Sequence, residues 1–560
     1  MSRKAFRVYL ALSTLAGSAA VFCNFITPSE PRNAWLLGYS AARWALGLLT
    51  LALTALFAAA LARPEKLRER LNAWLDQGDH AYFAFVGLLF LTFVFLWCFQ
   101  FSWLFIPKNM RPLLLFLAFA AASAAVLVRI SFSAKWTETN YAEKYRLLPK
   151  LSSLSKGQKH VLLVLGLLSI VYIAVLMPSN INGSRDWADF KHYGGDEYVI
   201  YPILTNVMTP GEDFSATLYH HYVHEDYHYG YPFYAWSSFV LLPIRLIAGP
   251  DFLERIDLTL PTLRILVSVV PLMAGCLILV WLTTRFANIP LSAAVYVFLL
   301  TAPGSLQNNQ GFWHPDGLNF FFICAALFFL SRDRLRYGRN FYAAAFFIGL
   351  SAAIRLYGFL FFLAIGVYLL YALVKKILPV RQVLVRAGLF LLVMFGTILW
   401  SSPYLFRSDA RANMVAILTE KTGEMSSGYN ADFNDPKNDY RPGWDAWYPA
   451  FEDHYTEMYC FFFLIASLVT ACFVGKDQWT YRHLALWWVV IAVYLIWFVA
   501  VKSTQYVLPM MLPLMSCIFA LPRALEGRSR KLVLPARIVS AAVWASQLVI
   551  NIIKIAPRFR

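Results

Sequence analysis

Four short stretches of this chain carry side chains able to move a proton or hold an anion. "GGDEYVIYPILTNVM" (194–208) sets two carboxylates, Asp196 and Glu197, side by side after a glycine pair. "NNQGFWHPDGL" holds His314 and Asp316. "AAIRLYGF" supplies Arg355, followed by Leu356 and Tyr357, and "VKSTQYVLP" supplies Lys502, Gln505 and Tyr506. A carboxylate within hydrogen-bond reach of an attacking hydroxyl or amine acts as a general base. It also stabilises the oxocarbenium-like transition state of glycosyl transfer. Guanidinium and ammonium groups bind phosphate. A phosphate leaving group departs as a stable anion, so it needs those cations rather than an acid. Asp196 and Glu197 are the candidate bases, with helper or structural hydrogen-bond acceptor as further roles for Glu197. Asp186 and Asp189, just upstream, are rival bases. Each residue also has a plainer reading: carboxylates suit helix N-termini, and Arg355 and Lys502 suit helix ends from which long cations snorkel.

Two further clusters belong to the same inventory. "HHYVHEDYHYG" contains His220, His221, His224 and Glu225. His221 with His224, or His220 with His224, would share a helical face and form half of a metal site. A histidine- and tyrosine-rich surface loop is the plainer reading, so no metal is expected as a requirement and a divalent ion is the minority case. In "DYRPGWDAWYPAFEDHY", Trp444, Trp447 and Tyr448 lie beside acids. They suit a sugar or acceptor platform, and equally the aromatic belt of a membrane interface.

The elements that position these residues are membrane helices. The chain has 560 residues, 59% hydrophobic and 14% charged, against about 45–50% and 25% for soluble domains. Apolar runs long enough to cross a bilayer recur throughout. Spans are expected near 7–27, 35–62, 82–106, 111–130, 160–178, 259–283, 289–304, 316–331, 341–355, 357–375, 385–402, 456–475, 482–500, 504–522 and 535–555. The expected fold is therefore an all-α polytopic membrane protein of about 15 transmembrane helices. The N-terminus has the basic end and small residues of a signal peptide, but its apolar run continues past them and reads as a retained first helix. The net charge of +17 reflects cytoplasmic loops rich in Lys and Arg, not a nucleic-acid partner. The seven cysteines lie in or beside apolar runs with no C-x-x-C pair, and read as small core residues.

Charge then assigns sides. Loops 179–235 and 403–455 together hold 17 of the 32 carboxylates. The basic stretches are 129–160, 331–340, 375–386 and 523–531, and the positive-inside rule puts these in the cytoplasm. Parity then requires that "FYAWSSFVLLPIRLIAG" (233–249), which carries Arg245, does not cross; it reads as an amphipathic surface helix or a re-entrant segment. Both acidic loops, Asp316, Arg355 and Lys502 consequently share the outer face. Residues 1–150 read as a four-helix accessory region, 160–525 as the core, and 526–560 as a C-terminal helix.

The run "DEYVIYPILTNVMTPGEDF" followed by "HYGYPFYAW" resembles the first external loop of the GT-C membrane glycosyltransferases, in the branch of protein O-mannosyltransferases and the lipid A aminoarabinose transferase. In that branch an Asp-Glu pair opens a surface helix ending in Met-x-x-Gly, here Asp196, Glu197, Met208 and Gly211. A proline-aromatic segment follows, here Pro232 to Trp236. "FWHPDGLNFFF" resembles the family's Pro-Asp at the head of a span, and "STQYVLPMMLPL" its late Arg-Tyr-x-Leu-Pro segment, giving Tyr506 and Pro509. The resemblance covers roughly 160–525. It implies inverting transfer of a sugar from a polyprenyl-phosphate carrier to a glycolipid, polysaccharide or protein acceptor, with Asp196 as base. Two positions depart: Gly230 stands where some members have Lys, and Gln505 where Arg is common. Phosphate binding then falls to Arg355 and Lys502. A bacterial inner membrane suits the compact loops. The alternatives are a transporter or lipid flippase, which should carry charges inside its spans and paired repeats, and a phospho- or acyltransferase built on a metal or histidine centre.

Overall fold

The computed structural model of the protein describes every residue except 27, 28, 30–33, 101–107, 134–138, 140, 145–150, 225, 226, 428–440, 476, 527–529 and 560. Among the described residues the regular elements are all helices. Eleven are long and apolar enough to cross a membrane, or up to 13 if each of two bent pairs counts as one span. The chain is an integral multi-pass helical membrane protein. The expected spans near 316–331 and 341–355 are helices, but the first has Asp316, Arg332 and Asp333 at its ends and the second has only 16 residues.

The chain divides into Met1–Leu148 and Pro149–Arg560. In the first unit, α1 (Arg3–Asn24) packs on α2 (Ala41–Ala62), α4 (His80–Gln100) packs on α5 (Arg111–Ser131), and α3 (Pro64–Leu75) is a short connector. Ala20, Leu113, Phe116 and Ala120 form its principal buried cluster.

The second unit opens with α6 (Lys156–Ile181), started by a reciprocal capping box between Ser155 and Gln158. Helix α7 (Trp187–Tyr193) follows, capped by Asp186, then α8 (Asp196–Met208). Helix α8 buries Glu197, Ile200, Tyr201, Leu204, Val207 and Met208, spacings that put one face inward. It packs with Phe233, Tyr234 and Leu241 of α10 (Tyr231–Ala248) and with Trp313. Between them lies α9 (Phe214–Tyr222), capped by Asp213. Helix α10 is not among the helices apolar and long enough to cross. Its inner face is buried, while Phe239, Leu242, Leu246 and Ile247 are exposed, the pattern of a helix lying against lipid.

Helix α11 (Ile256–Thr284) widens into a π turn at Arg264–Val269. Next come α12 (Ile289–Leu300), α13 (Pro303–Asn309), α14 (Asp316–Asp333), α15 (Arg339–Ile354), α16 (Tyr357–Val374) and α17 (Val380–Ser401). The second acidic loop holds α18 (Ser408–Ser427) and α19 (Trp444–His454). Then α20 (Met458–Phe473), α21 (Gln478–Phe498), α22 (Thr504–Leu525) and α23 (Arg530–Ile555) complete the chain. Cys276, Cys324, Cys460, Cys472 and Cys517 are buried and unpaired as read; Cys23 is exposed.

The π turn creates the strongest internal constraint. It brings Arg264, 1% exposed, onto Glu197, also 1% exposed. Arg264 Nε donates to Glu197 Oε1 at 2.9 Å, and Nη2 pairs with Oε2. Arg264 Nη1 donates to the carbonyls of Asn180 (2.9 Å) and Asn182 (2.7 Å), and the Trp313 amide donates to Glu197. One ion pair thus ties the end of α6, the first turn of α8, the π turn and the 310–315 segment. Glu197→Ala would leave a buried guanidinium unpaired, at a cost of about 3–5 kcal/mol. A thermal unfolding series in detergent is expected to show a large drop for Glu197→Ala and partial recovery in Glu197→Leu/Arg264→Met. A single variant as stable as the parent would refute this role.

Candidate active site

The site is assembled from chain segments far apart in sequence. Glu197 takes the Trp313 amide, and the Ser268 hydroxyl accepts the His314 amide at 2.9 Å. The π turn therefore positions both sides of the site. Gly317 seats the head of α14 on that turn, where a Cβ would stand 2.3 Å from the Ser268 carbonyl oxygen.

His314 and Asp316 are each 2% exposed. His314 Nδ1 lies 2.5 Å from Asp316 Oδ2, a close polar contact that is bent away from hydrogen-bond alignment. Its Nε2 meets the Tyr229 hydroxyl at 2.7 Å and Arg355 Nη2 at 3.2 Å. A neutral imidazole with the proton on Nδ1 fits all three contacts, since Nε2 then accepts. Asp316 was open to a helix-cap reading, but its carboxylate makes no cap hydrogen bond. It faces Arg355 instead, Oδ1 to Nε at 3.4 Å and Oδ2 to Nη2 at 3.5 Å.

Arg355 ends α15 in extended backbone and turns inward. Its guanidinium lies 4.7 Å from the Tyr229 ring centroid and 6.0 Å from that of Tyr506, within the range of cation–π attraction. Tyr357 is close enough to interact electrostatically with it. The Arg355 side chain remains 19% exposed. Gly230 is part of this arrangement: its amide donates to the Ile354 carbonyl at 3.3 Å, and a Cβ would sit 1.5 Å from the Ala353 carbonyl oxygen. The end of α15 occupies the space that any side chain at position 230 would need.

Asp196 is the exposed first residue of α8. It lies near enough for its charge to act on His314 and on Glu197. Burial pushes the Glu197 carboxyl upward against the pull of Arg264 and the Trp313 amide. Burial also lowers the His314 pKa, with Asp316 opposing. Among the described residues, Asn319 Nδ2 in the first turn of α14 is buried with no hydrogen-bond partner.

Other expected site residues lie differently. Asp186 caps α7 by accepting from the Asp189 amide at 2.9 Å, and Asp189 accepts from the Arg185 amide at 3.2 Å; both serve local backbone. Lys502 donates to the carbonyls of Arg441 (2.7 Å) and Ala500 (2.9 Å) and lies over the Trp447 ring. Gln505 accepts from Thr504 at 3.3 Å. His220 meets the Thr209 carbonyl at 3.3 Å, His221 the Tyr231 hydroxyl at 2.7 Å, and His224 packs among Tyr227, Tyr231, Tyr234 and Tyr404. Glu225 lies outside the described residues, among which no group of three His, Cys, Asp or Glu could hold a metal. Trp447 is a core residue, its indole donating to the Val499 carbonyl at 2.8 Å, rather than a platform; Tyr448 is 40% exposed. Sequence reading missed Arg264 and Tyr229. A lone arginine within an apolar run signals a buried carboxylate partner, whereas nothing local marks Tyr229.

The fold and site define a multi-pass helical membrane protein with a carboxylate–histidine–arginine–tyrosine centre at the head of α14. In comparisons with protein families, curated proteins and solved structures, nothing matched the chain.

His314 sets a pH dependence. Its pKa in the fold lies below the roughly 6.5 of an unfolded histidine, so the unfolded chain binds more protons as pH drops. Stability from this group is present above about pH 6.5 and lost as pH falls through it. His221, also lowered by burial, adds to the same slope. The unfolding temperature should fall between pH 7.5 and 5.5, and less steeply in His314→Asn; identical slopes would count against a neutral buried His314. A second expectation concerns Gly230→Ala, which should lower stability by about 1–3 kcal/mol through overpacking, measured by the same unfolding assay.

Proposed function

We propose that the protein is an inverting glycosyltransferase of the GT-C type, moving a sugar from a polyprenyl-phosphate carrier to an acceptor at the outer face of its membrane. The observation that supports this reading is that an exposed carboxylate, Asp196, and a partly accessible guanidinium, Arg355, both act on His314, the first through its charge and the second at 3.2 Å. In the reaction, Asp196 takes the proton of the acceptor hydroxyl as its oxygen attacks the anomeric carbon. The bond from that carbon to the phosphate oxygen breaks, and the carrier leaves as polyprenyl phosphate with the electron pair. Arg355 meets the growing negative charge of that phosphate. Asp316 and neutral His314 hold the guanidinium in place, with the phenols of Tyr229, Tyr357 and Tyr506 around it.

Glu197 is assigned to structure, because the ion pair with Arg264 and the Trp313 amide occupies its carboxylate. No metal is needed in this scheme. The count of about 15 spans, with α14 and α15 included, gives both acidic loops the same side, and the positive-inside rule makes it the non-cytoplasmic one. A bacterial inner membrane and a cell-envelope glycan such as lipopolysaccharide are the matching setting.

The transporter or flippase reading draws on one observation, the Arg264–Glu197 charges in and beside a span. Both are fully engaged, which favours a fixed scaffold over a moving relay. Mass spectrometry of carrier lipids and surface glycans separates the readings, comparing parent cells with a deletion, Asp196→Asn and Arg355→Met at matched expression. The expected result is one sugar missing from one glycan in the deletion, and at least a ~100-fold loss of transfer in Asp196→Asn. An intact glycan in Asp196→Asn would remove Asp196 as base. Unchanged glycans in the deletion, with a solute or lipid redistributed across the membrane, would replace the transferase with a transporter.

A further inference from the structure

At the end of α14 opposite the candidate site, helix ends carrying arginine converge on a single carboxylate. Asp477, which precedes α21, receives Arg285 Nε at 3.4 Å, Arg334 Nη2 at 3.6 Å and Arg523 Nη2 at 3.9 Å. Arg285 ends α11, Arg334 ends α14, and Arg523 lies near the end of α22. Arg285, Arg523 and Asp477 are about three-quarters buried, and Arg334 is 59% exposed. Charge-assisted hydrogen bonds from arginine to carboxylate normally close to about 2.7–2.9 Å. Three guanidinium groups standing back around one carboxylate leave an excess of positive charge in a partly dry site.

The surroundings deepen that excess. Two other carboxylates on or beside these elements are engaged: Asp333 accepts from the amides of Tyr337 (2.9 Å) and Gly338 (3.0 Å) and from the Tyr368 hydroxyl (2.9 Å), and Glu526 pairs with Arg537 at 2.8 Å. Arg332 feels the like charges of Arg339 and Arg285. Gln158 of α6 donates to the Arg285 carbonyl at 3.0 Å, which brings the helix start bearing Lys156 and Lys159 alongside. Two groups hold the arginines in place: Arg285 Nη2 donates to Thr480 at 2.8 Å, and Arg523 Nη1 to the Thr283 carbonyl. Like charges so placed repel unless an anion lies among them.

We propose that this cluster is a binding site for a phosphate group, gripped by Arg285, Arg334 and Arg523 with Asp477 as their common spacer. Planar guanidinium forks suit a tetrahedral oxyanion. Helix α14 has 18 residues and so runs about 27 Å at 1.5 Å per residue, close to the ~30 Å hydrocarbon thickness. The arginines therefore stand at the depth of lipid phosphates, where a phospholipid headgroup and a soluble phosphate both have access. The site is independent of the glycosyl-transfer reading.

The test measures unfolding temperature of the full-length protein in detergent against dioctanoyl phosphatidic acid, dioctanoyl phosphatidylcholine and sodium phosphate, at matched ionic strength. A saturable rise with phosphatidic acid alone identifies an anionic lipid headgroup; a rise with sodium phosphate as well identifies a soluble phosphate. Either supports the site, provided that Arg285→Gln/Arg523→Gln loses most of the shift. Should that pair not fold, exposed Arg334→Gln must weaken the response. Asp477→Asn, which removes the competing carboxylate, should reach half its shift at an about fivefold lower probe concentration. No saturable shift with either anion, an equal shift with phosphatidylcholine, or an unchanged response in the arginine variants would overturn the proposal.

Discussion

The arrangement of the second unit depends on one buried ion pair. A guanidinium inside a membrane helix is unfavourable unless its charge and its donors are all met. Arg264 meets them with Glu197 from a surface helix and with carbonyls at the end of α6. The consequence is geometric. A 13-residue helix that would be marginal alone is held with its first turn against a span, and the Trp313 amide is drawn to the same carboxylate. Asp196, one residue before Glu197, is thereby left at the surface with its charge turned toward His314. The acidic pair divides its labour: the second residue anchors and the first is accessible.

Around this anchor, close backbone approach does the rest. Gly230 lets a loop meet the end of α15, and Gly317 lets the head of α14 meet the π turn. Without side chains at these two positions, Tyr229, His314, Asp316 and Arg355 come within contact distance of one another. The π turn has a further role, since the extra residue it inserts in α11 serves both Arg264 and Ser268. Such turns commonly occur at functional positions. Helix α14 then connects two chemically opposite ends, a carboxylate and histidine at its start and the arginine cluster at its finish.

Much of this was legible in the sequence, and the limits are physical. Hydropathy alone identifies a polytopic helical membrane protein, because a bilayer demands long apolar helices. Parity and loop charge assign 233–249 to the membrane surface, and the helix there is not among those long and apolar enough to cross. Asp316 and Arg355 stood out as charges at the mouths of spans, and they do meet. Lys502 reads like Arg355 in the sequence, yet its ammonium meets two backbone carbonyls; a carbonyl partner leaves no mark in a sequence. The Trp447 platform failed for the same reason, since an indole donating to a buried carbonyl reads no differently from one at an interface. Tyr229 and the division of roles between Asp196 and Glu197 depend on contacts between segments more than 60 residues apart, which no local pattern records.

The central claim is that Asp196 and Arg355 face one donor across a single site. Cryo-electron microscopy of the protein reconstituted with polyprenyl phosphate tests it most directly. The expected result is the phosphate within hydrogen-bond reach of the Arg355 guanidinium, with Asp196 opposite it across a space the size of one sugar. A phosphate bound beside Lys502, or anywhere from which Asp196 cannot reach the sugar, would contradict it.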